Sequence, residues 1–239
     1  MSNFHRAILI NLHRIIYYVI KARIWLLFNK HSEIEKYALA NEMITKMNDS
    51  MGTVTISKGQ DKLPQEGGYM LYPNHQGKYD VPGIFTTHRK PLAFVIDENR
   101  SHMALVAEIL KLTGGKAMRL DDPRHAIKIF QQMAEELKEG KKYILFPEGG
   151  YKENNENIVE DFKAGSFKVA KMAQVPIVPV ALVDSYKVYN DGHRGPATAY
   201  VYYLDPIYYE DYKNLSTREI ARMVQDRIRE KIKEHEETH

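Results

Sequence analysis

Residues 4–28 of this 239-residue chain are rich in Ile, Leu, Tyr and Trp, interrupted singly by Arg6, Arg14, Lys21 and Arg23. At about 100° per residue, Arg6, His13, Arg14, Tyr17 and Lys21 fall on one side of a helix. Ile8, Leu12, Ile15, Val19 and Leu26 fall largely on the other. The uncharged runs are far shorter than the ~20 residues that span a bilayer. No short basic start leads into one clean apolar block, so the layout is not that of a signal peptide. Ser32-Glu-Ile-Glu35 is a capping box that opens a second helix. Ile34, Tyr37, Ala38 and Met47 form its stripe, and it stops before Gly52. Residues 1–50 therefore read as a helical hairpin ahead of a domain over 51–239.

From residue 53 the pattern changes to short β-rich apolar runs alternating with helical stretches. Strands are predicted at 54–57, 69–72, 92–96, 116–120, 143–146, 177–183 and 198–203. Helices are predicted at about 80–87, 98–112, 123–139, 163–173 and 216–233. Asp122-Pro123 supplies an N-cap and first-turn pair, and Gly140 a stop. This alternation implies an α/β fold with a mostly parallel central sheet flanked by helices. Residues 149–161 read as a polar loop at its rim.

Charge sharpens the reading of the N-terminus. The net charge is only +3, yet residues 1–32 hold five Lys/Arg and no acid. Residues 33–239 hold 29 basic and 31 acidic side chains, so no global field for nucleic acid exists. A basic stripe opposite a broad apolar face, with Trp25 near its end, suits the surface of an anionic membrane. The expectation is a peripheral or monotopic protein on the cytoplasmic face of the cell membrane, docked through residues 4–28. The alternative is a helix packed on the domain with its Lys and Arg heads reaching water.

The chemistry gathers at strand ends. Asn74-His75-Gln-Gly-Lys78-Tyr-Asp80 follows the apolar run 69–72, where α/β folds place their sites. A spacing of five puts His75 and Asp80 about 140° apart on a helix, so they meet only across a turn, which Gly77 permits. Asp80 would then orient the imidazole and make His75 a general base. Taken alone, the pair also fits a capped turn. With no cysteine and no Gly-x-Ser-x-Gly elbow, a substrate hydroxyl takes the place of a protein nucleophile. Phe146-Pro-Glu148-Gly149-Gly150 ends another strand and offers Glu148 to substrate hydroxyls. Lys116 and Arg119, in Gly114-Gly-Lys-Ala-Met-Arg, suit a phosphate. Val175-Pro-Ile-Val-Pro-Val180 is structural. His235-Glu-Glu-Thr-His239 has zincin spacing, but a fraying chain end cannot build a positioned metal site.

In this order the blocks resemble the glycerolipid acyltransferase family typified by 1-acyl-sn-glycerol-3-phosphate acyltransferase. Its blocks are Asn-His-x4-Asp, a Gly-rich block with Arg, Phe-Pro-Glu-Gly, and Val-Pro-Ile-Val-Pro. Phe162-Lys-Ala-Gly165 with Ala170 looks like a further family segment. The resemblance spans roughly residues 70–185. It implies acyl transfer from acyl-CoA or acyl carrier protein to the 2-hydroxyl of 1-acyl-glycerol 3-phosphate, giving phosphatidic acid. His75 and Asp80 would be catalytic. Asn74, Lys78, Lys116, Arg119, Glu148, Gly149 and Gly150 would bind substrate, and no metal or cofactor is implied. Other acceptors, such as glycerol 3-phosphate or another lysolipid, fit the same blocks, and so does a non-catalytic lipid-binding protein. The third block departs from the family: Gly150-Tyr151-Lys152 replaces the usual Thr-Arg-Ser, leaving Lys152 as the nearest cation. Arg119 comes slightly early in its block, with Arg124 as a stand-in.

Overall fold

Capping and packing together decide where each segment begins. The computed structural model describes residues 3–152, 156–189 and 195–238. Helices α1 (Asn3–Ile10), α2 (Leu12–Phe28) and α3 (Glu33–Met51) precede β1 (Val54–Lys58), β2 (Tyr69–Pro73), α4 (Asp80–Thr87) and β3 (Ala93–Asp97). Then come α5 (Glu98–Ser101), α6 (Ala104–Thr113), β4 (Lys116–Met118), α7 (Pro123–Lys138) and β5 (Lys142–Ile144). The chain continues through α8 (Lys168–Ala173), β6 (Ile177–Val183), α9 (Tyr186–Tyr189), β7 (Thr198–Tyr203), α10 (Tyr209–Tyr212) and α11 (Thr217–Thr238). Ser32 caps α3 with the full capping box, and Asp122 caps α7 with Pro123 in its first turn.

The sheet runs β1-β7-β6-β2-β5-β3-β4. All neighbours are parallel except β6 and β7. Burial on both faces explains why β2 is apolar throughout. Met70 and Tyr72 join a core with Phe130 of α7, Val169 of α8 and Val224 of α11. Tyr69 and Leu71 join another with Ile44 of α3, Phe85 of α4 and Leu110 of α6. Because β2, β5 and β6 are neighbouring parallel strands, the segments after residues 73, 144 and 183 emerge together at one sheet edge.

Three sequence expectations need correction. The stretch 4–28 is two helices, because buried Asn11 donates from its side chain to the Ala7 carbonyl and to Ser50 Oγ at the junction. The stretch 98–112 is likewise split at His102-Met103. Of the apolar face assigned to this stretch, Ile8, Ile15, Val19 and Leu26 are half-buried beside buried Tyr18 and Ala22, while Leu12 is exposed. A second apolar stripe, Leu12, Ile16, Ile20, Ile24 and Leu27, faces outward and is 48–78% exposed. Helix α2 is apolar almost all round, so sequence periodicity alone could not choose the packed side. No described helix is long and apolar enough to cross a membrane.

His88 ties β2 to the loop after α4. Its Nδ1 donates to the Lys90 carbonyl at 2.8 Å, which leaves Nε2 to accept from Tyr69 Oη at 2.6 Å. Burial pushes the imidazole down to about 4. The folded state thus rejects a proton that the unfolded chain takes up near 6.5. Stability from this group is complete above pH 6.5 and falls as pH drops toward 4, by up to about 1.4 kcal/mol per unit. Melting curves from pH 7.5 to 5 should show this loss, and His88→Gln should show a shallower pH dependence.

Candidate active site

At the carboxyl end of β2 the chain leaves the sheet at Asn74. The Asn74 side chain is fully buried and bridges to β6: Nδ2 donates to the Leu182 carbonyl at 3.0 Å, and Oδ1 accepts from the Leu182 amide at 2.7 Å. These two bonds stand in for the next rung of the β2–β6 ladder. The structure therefore spends the Asn74 amide on the backbone, not on a ligand, and the next residue, His75, is thrown off the strand end in a fixed direction.

The turn that follows closes on Asp80, the first residue of α4. Asp80 is fully buried. Its Oδ2 accepts from His75 Nδ1 at 2.6 Å, the Gln76 amide at 2.6 Å and the Gly77 amide at 3.0 Å. Its Oδ1 lies at 2.5 Å from Ser185 Oγ. Ser185 Oγ also lies 2.9 Å from Gln76 Oε1. One hydroxyl has one proton, and the charged carboxylate is the stronger acceptor. With Nδ1–H directed at Asp80, the lone pair of the ring sits on Nε2.

The imidazole is packed as well as bonded. It stacks on Phe146 at 4.1 Å between centroids and meets the Tyr151 ring edge-on at 4.7 Å. Phe146 and Tyr151 flank Pro147-Glu148-Gly149-Gly150 after β5. Glu148 Oε1 accepts from the His75 amide at 3.0 Å, while Oε2 is buried without a hydrogen-bond partner among the described residues. Burial pushes the Glu148 carboxyl up to about 8; the His75 amide opposes the shift and the Asp80 charge adds to it. Gly149 turns at φ +73°, and a Cβ there would lie 2.3 Å from Lys163 Nζ. Gly150 faces open space.

The remaining cations named from the sequence are placed elsewhere. Lys116 is held by Glu136, which also binds Lys141 and Tyr143. Burial works against ionising Glu136, but these three partners bring its carboxyl down to about 2. Arg119 pairs with Glu98 at 3.7 Å and Asp122 at 3.4 Å. Lys78 turns its ammonium over the Phe4 ring of α1 at 5.3 Å. Lys152 pairs with Glu160 at 2.7 Å, and Arg124 is exposed in the first turn of α7. His235 does not fray: it is buried on α11, with Tyr202 Oη at 2.7 Å from its Nδ1. His239, Asn154 and Asn155 lie outside the described residues.

Sequence reasoning missed the brace behind Asp80. Gln76 Oε1 accepts from the Ser185 amide at 3.0 Å, and Gln76 Nε2 donates to Asn157 Oδ1 at 2.8 Å. Asn157 in turn grips Asp184 in both directions. A lone Ser after a strand carries no motif signal, since its partner lies 105 positions away.

Comparison with known proteins follows the same outline. Residues 54–183 match the family model described as Acyltransferase. The 1-acyl-sn-glycerol-3-phosphate acyltransferase of Chlamydomonas reinhardtii is 26% identical over 190 residues, covering 79% of this chain and 56% of that protein. The Saccharomyces cerevisiae protein of the same name is 26% identical, covering 74% and 59%. The Haemophilus influenzae one is 25% identical, covering 75% and 76%. The chain thus spans a little over half the length of the first two relatives. The crystal structure of the 1-acyl-sn-glycerophosphate acyltransferase PlsC from Thermotoga maritima superposes with a TM-score of 0.73 at 19% identity. That match covers 95% of this chain and 96% of the other, and it establishes the shared fold.

Glu148 yields a test of the site's electrostatics. Its raised carboxyl keeps a proton in the folded state that the unfolded chain releases near 4.5, so stability is lost as pH rises from 4.5 to 8. Glu148→Gln keeps the acceptor for the His75 amide and removes the buried charge. The variant should melt above the parent at pH 8, and that advantage should vanish by about pH 4.5.

Proposed function

The chain belongs to the acyltransferase family, and from that premise we propose that it transfers a fatty acyl group from a thioester to the 2-hydroxyl of 1-acyl-glycerol 3-phosphate, forming phosphatidic acid. The observation that carries the proposal is the His75–Asp80 pair, an imidazole held at 2.6 Å by a fully buried carboxylate beyond the carboxyl end of β2. The chain has no cysteine, and Ser185 touches Asp80, not the reactive ring edge. In the proposed reaction the base works on a substrate alcohol.

In this scheme His75 Nε2 takes the proton from the acceptor hydroxyl as its oxygen attacks the thioester carbonyl carbon. The carbonyl electrons move to oxygen and return as the C–S bond breaks. The departing thiolate takes the proton back from His75, so the enzyme is regenerated without an acyl-enzyme stage. Asp80 holds the tautomer and stabilises the transient imidazolium. Phe146 and Tyr151 restrict the ring to one plane. A thioester is already activated, so the scheme asks for no metal or cofactor. The donor is acyl-CoA or acyl carrier protein.

The lipid acceptor also gives the outward stripe of α2 a role. Leu12, Ile16, Ile20, Ile24 and Leu27 form an apolar ridge on a helix whose other side is anchored in the protein; His13 and Arg23 lie within its span, and Arg23 pairs with Glu108 of α6 at 2.8 Å. Such a ridge enters the headgroup boundary of an anionic leaflet, as on the cytoplasmic side of a cell membrane.

His75→Ala should lower transfer to lysophosphatidic acid by roughly 10²–10⁴-fold. Acyl-CoA and acyl carrier protein should be offered in parallel, with glycerol 3-phosphate as a competing acceptor. Near-parental turnover would remove His75 from the chemistry. For the membrane, truncation is a poor probe, because Ala7, Tyr18 and Ala22 are part of the packing. Ile20→Asp with Ile24→Asp should instead leave the melting temperature within about a degree or two, as exposed substitutions do. The pair should abolish co-sedimentation with vesicles containing phosphatidylserine; undiminished sedimentation would locate docking elsewhere.

A further inference from the structure

We infer that Arg100, which no sequence block singles out, holds the phosphate of the acceptor; the inference rests on the acceptor proposed above. Of the phosphate cations named from sequence, Lys116 is committed to Glu136, Arg119 to Glu98 and Asp122, and Lys152 to Glu160, while Arg124 lies exposed in the first turn of α7. Lys78 is drawn over Phe4. Arg100 is different. It sits exposed in α5, at the end of β3, the strand beside β5, and its guanidinium lies 5.2 Å from the centroid of the Tyr151 ring. Among the described residues, none forms an ion pair with it.

Tyr151 is the same ring that meets His75 edge-on at 4.7 Å, so the guanidinium lies within about 10 Å of the imidazole. That ceiling lies within the acceptor's reach. Its 2-hydroxyl and its phosphorus are roughly 5 Å apart, and a hydrogen bond of about 2.8 Å at each end accounts for the rest. An alcohol on Nε2 thus brings its phosphate to Arg100. The planar guanidinium fork can bind two phosphate oxygens at once, which fixes the glycerol in one orientation. Among the described residues the guanidinium meets a ring face and no carboxylate, so it need break no ion pair with them to do so. Tyr151 then has two tasks, covering the base and aiming the arginine. This explains how the chain manages with Gly150-Tyr151-Lys152 in a loop that lacks an arginine.

Lys163 is the competing cation, since its ammonium lies over Gly149. The test compares Arg100→Gln, Arg100→Lys and Lys163→Met in the full-length chain by two readouts. One is the kinetics of acyl transfer to lysophosphatidic acid. The other is phosphorus-NMR titration with glycerol 3-phosphate, which needs no turnover. Arg100→Gln should raise KM for lysophosphatidic acid by about 10- to 100-fold, the weight of a charged hydrogen-bonded contact, while kcat stays within about threefold. It should weaken glycerol 3-phosphate binding in parallel, and Arg100→Lys should recover part of both. Unchanged KM and unchanged binding in Arg100→Gln would overturn the assignment, as would losses confined to Lys163→Met. Failure of the parent chain to bind glycerol 3-phosphate would overturn it too. Arginine-dependent binding without transfer to lysophosphatidic acid would uphold the anion site and sink the acyl-transfer reading instead.

Discussion

A carboxylate removed from water is the constraint on which this site depends. Burying an ion costs several kcal/mol, and the cost is offset only when its lone pairs are met by well-aimed donors. Asp80 meets them with His75 Nδ1, the amides of Gln76 and Gly77, and Ser185 Oγ. Those donors come from two segments far apart in the chain, after β2 and after β6. Removing any of them leaves part of a buried charge uncompensated, so the turn and the strand ends are held in one geometry. The His75 ring inherits that geometry. The direction of the base is thus a consequence of satisfying Asp80, not an independent feature of the histidine.

The same accounting restricts what the nearby backbone can do. The Gln76 and Gly77 amides are already given to Asp80, and the Gly149 amide to the Phe146 carbonyl. They are therefore not spare donors for a developing oxyanion. The His75 amide is given to Glu148, whose carboxyl burial pushes up to about 8. Glu148 therefore favours its neutral form more than a free glutamate does, while Oε1 accepts from the His75 amide. A neutral group there spares the site a second buried negative charge beside Asp80, which would compete for the imidazolium during turnover.

Local signals made the frame legible and long-range ones did not. Strand ends at 69–73 and 177–183 were readable because β2 and β6 are buried on both faces and bounded by Pro, Gly and Asn. The capping box at Ser32 and the Asp122-Pro123 pair fix helix starts within a few residues, which is why those boundaries agree. The pairing of His75 with Asp80 needed a turn, and Gly77 advertised it. By contrast, the fate of Lys116 depends on Glu136 of α7, and that of Arg119 on Glu98 of α5 as well as on nearby Asp122. Asn74 was legible as part of a block, but its amide is consumed by Leu182, a partner 108 residues away. Nothing local marks Arg100 or Ser185, because each acquires its meaning from a side chain brought near by the sheet.

Helix α2 shows a further limit of periodicity and also its physical use. A helix with apolar residues on opposite sides can pack through either, and the chain packs the side that carries Tyr18 and Ala22. Ala7 of α1 and Ala22 of α2 let these helices approach the domain closely, while the larger Ile16, Ile20 and Leu27 are left outside. The packed side reaches the catalytic turn. Phe4 of α1 meets Tyr189 edge-on at 5.6 Å, and Tyr189 meets Tyr79 at 5.4 Å, one residue before Asp80. Tyr79 is pinned in turn by Asn48 of α3 and Thr55 of β1. The helices that carry the outward ridge are therefore continuous in packing with the turn that holds the base.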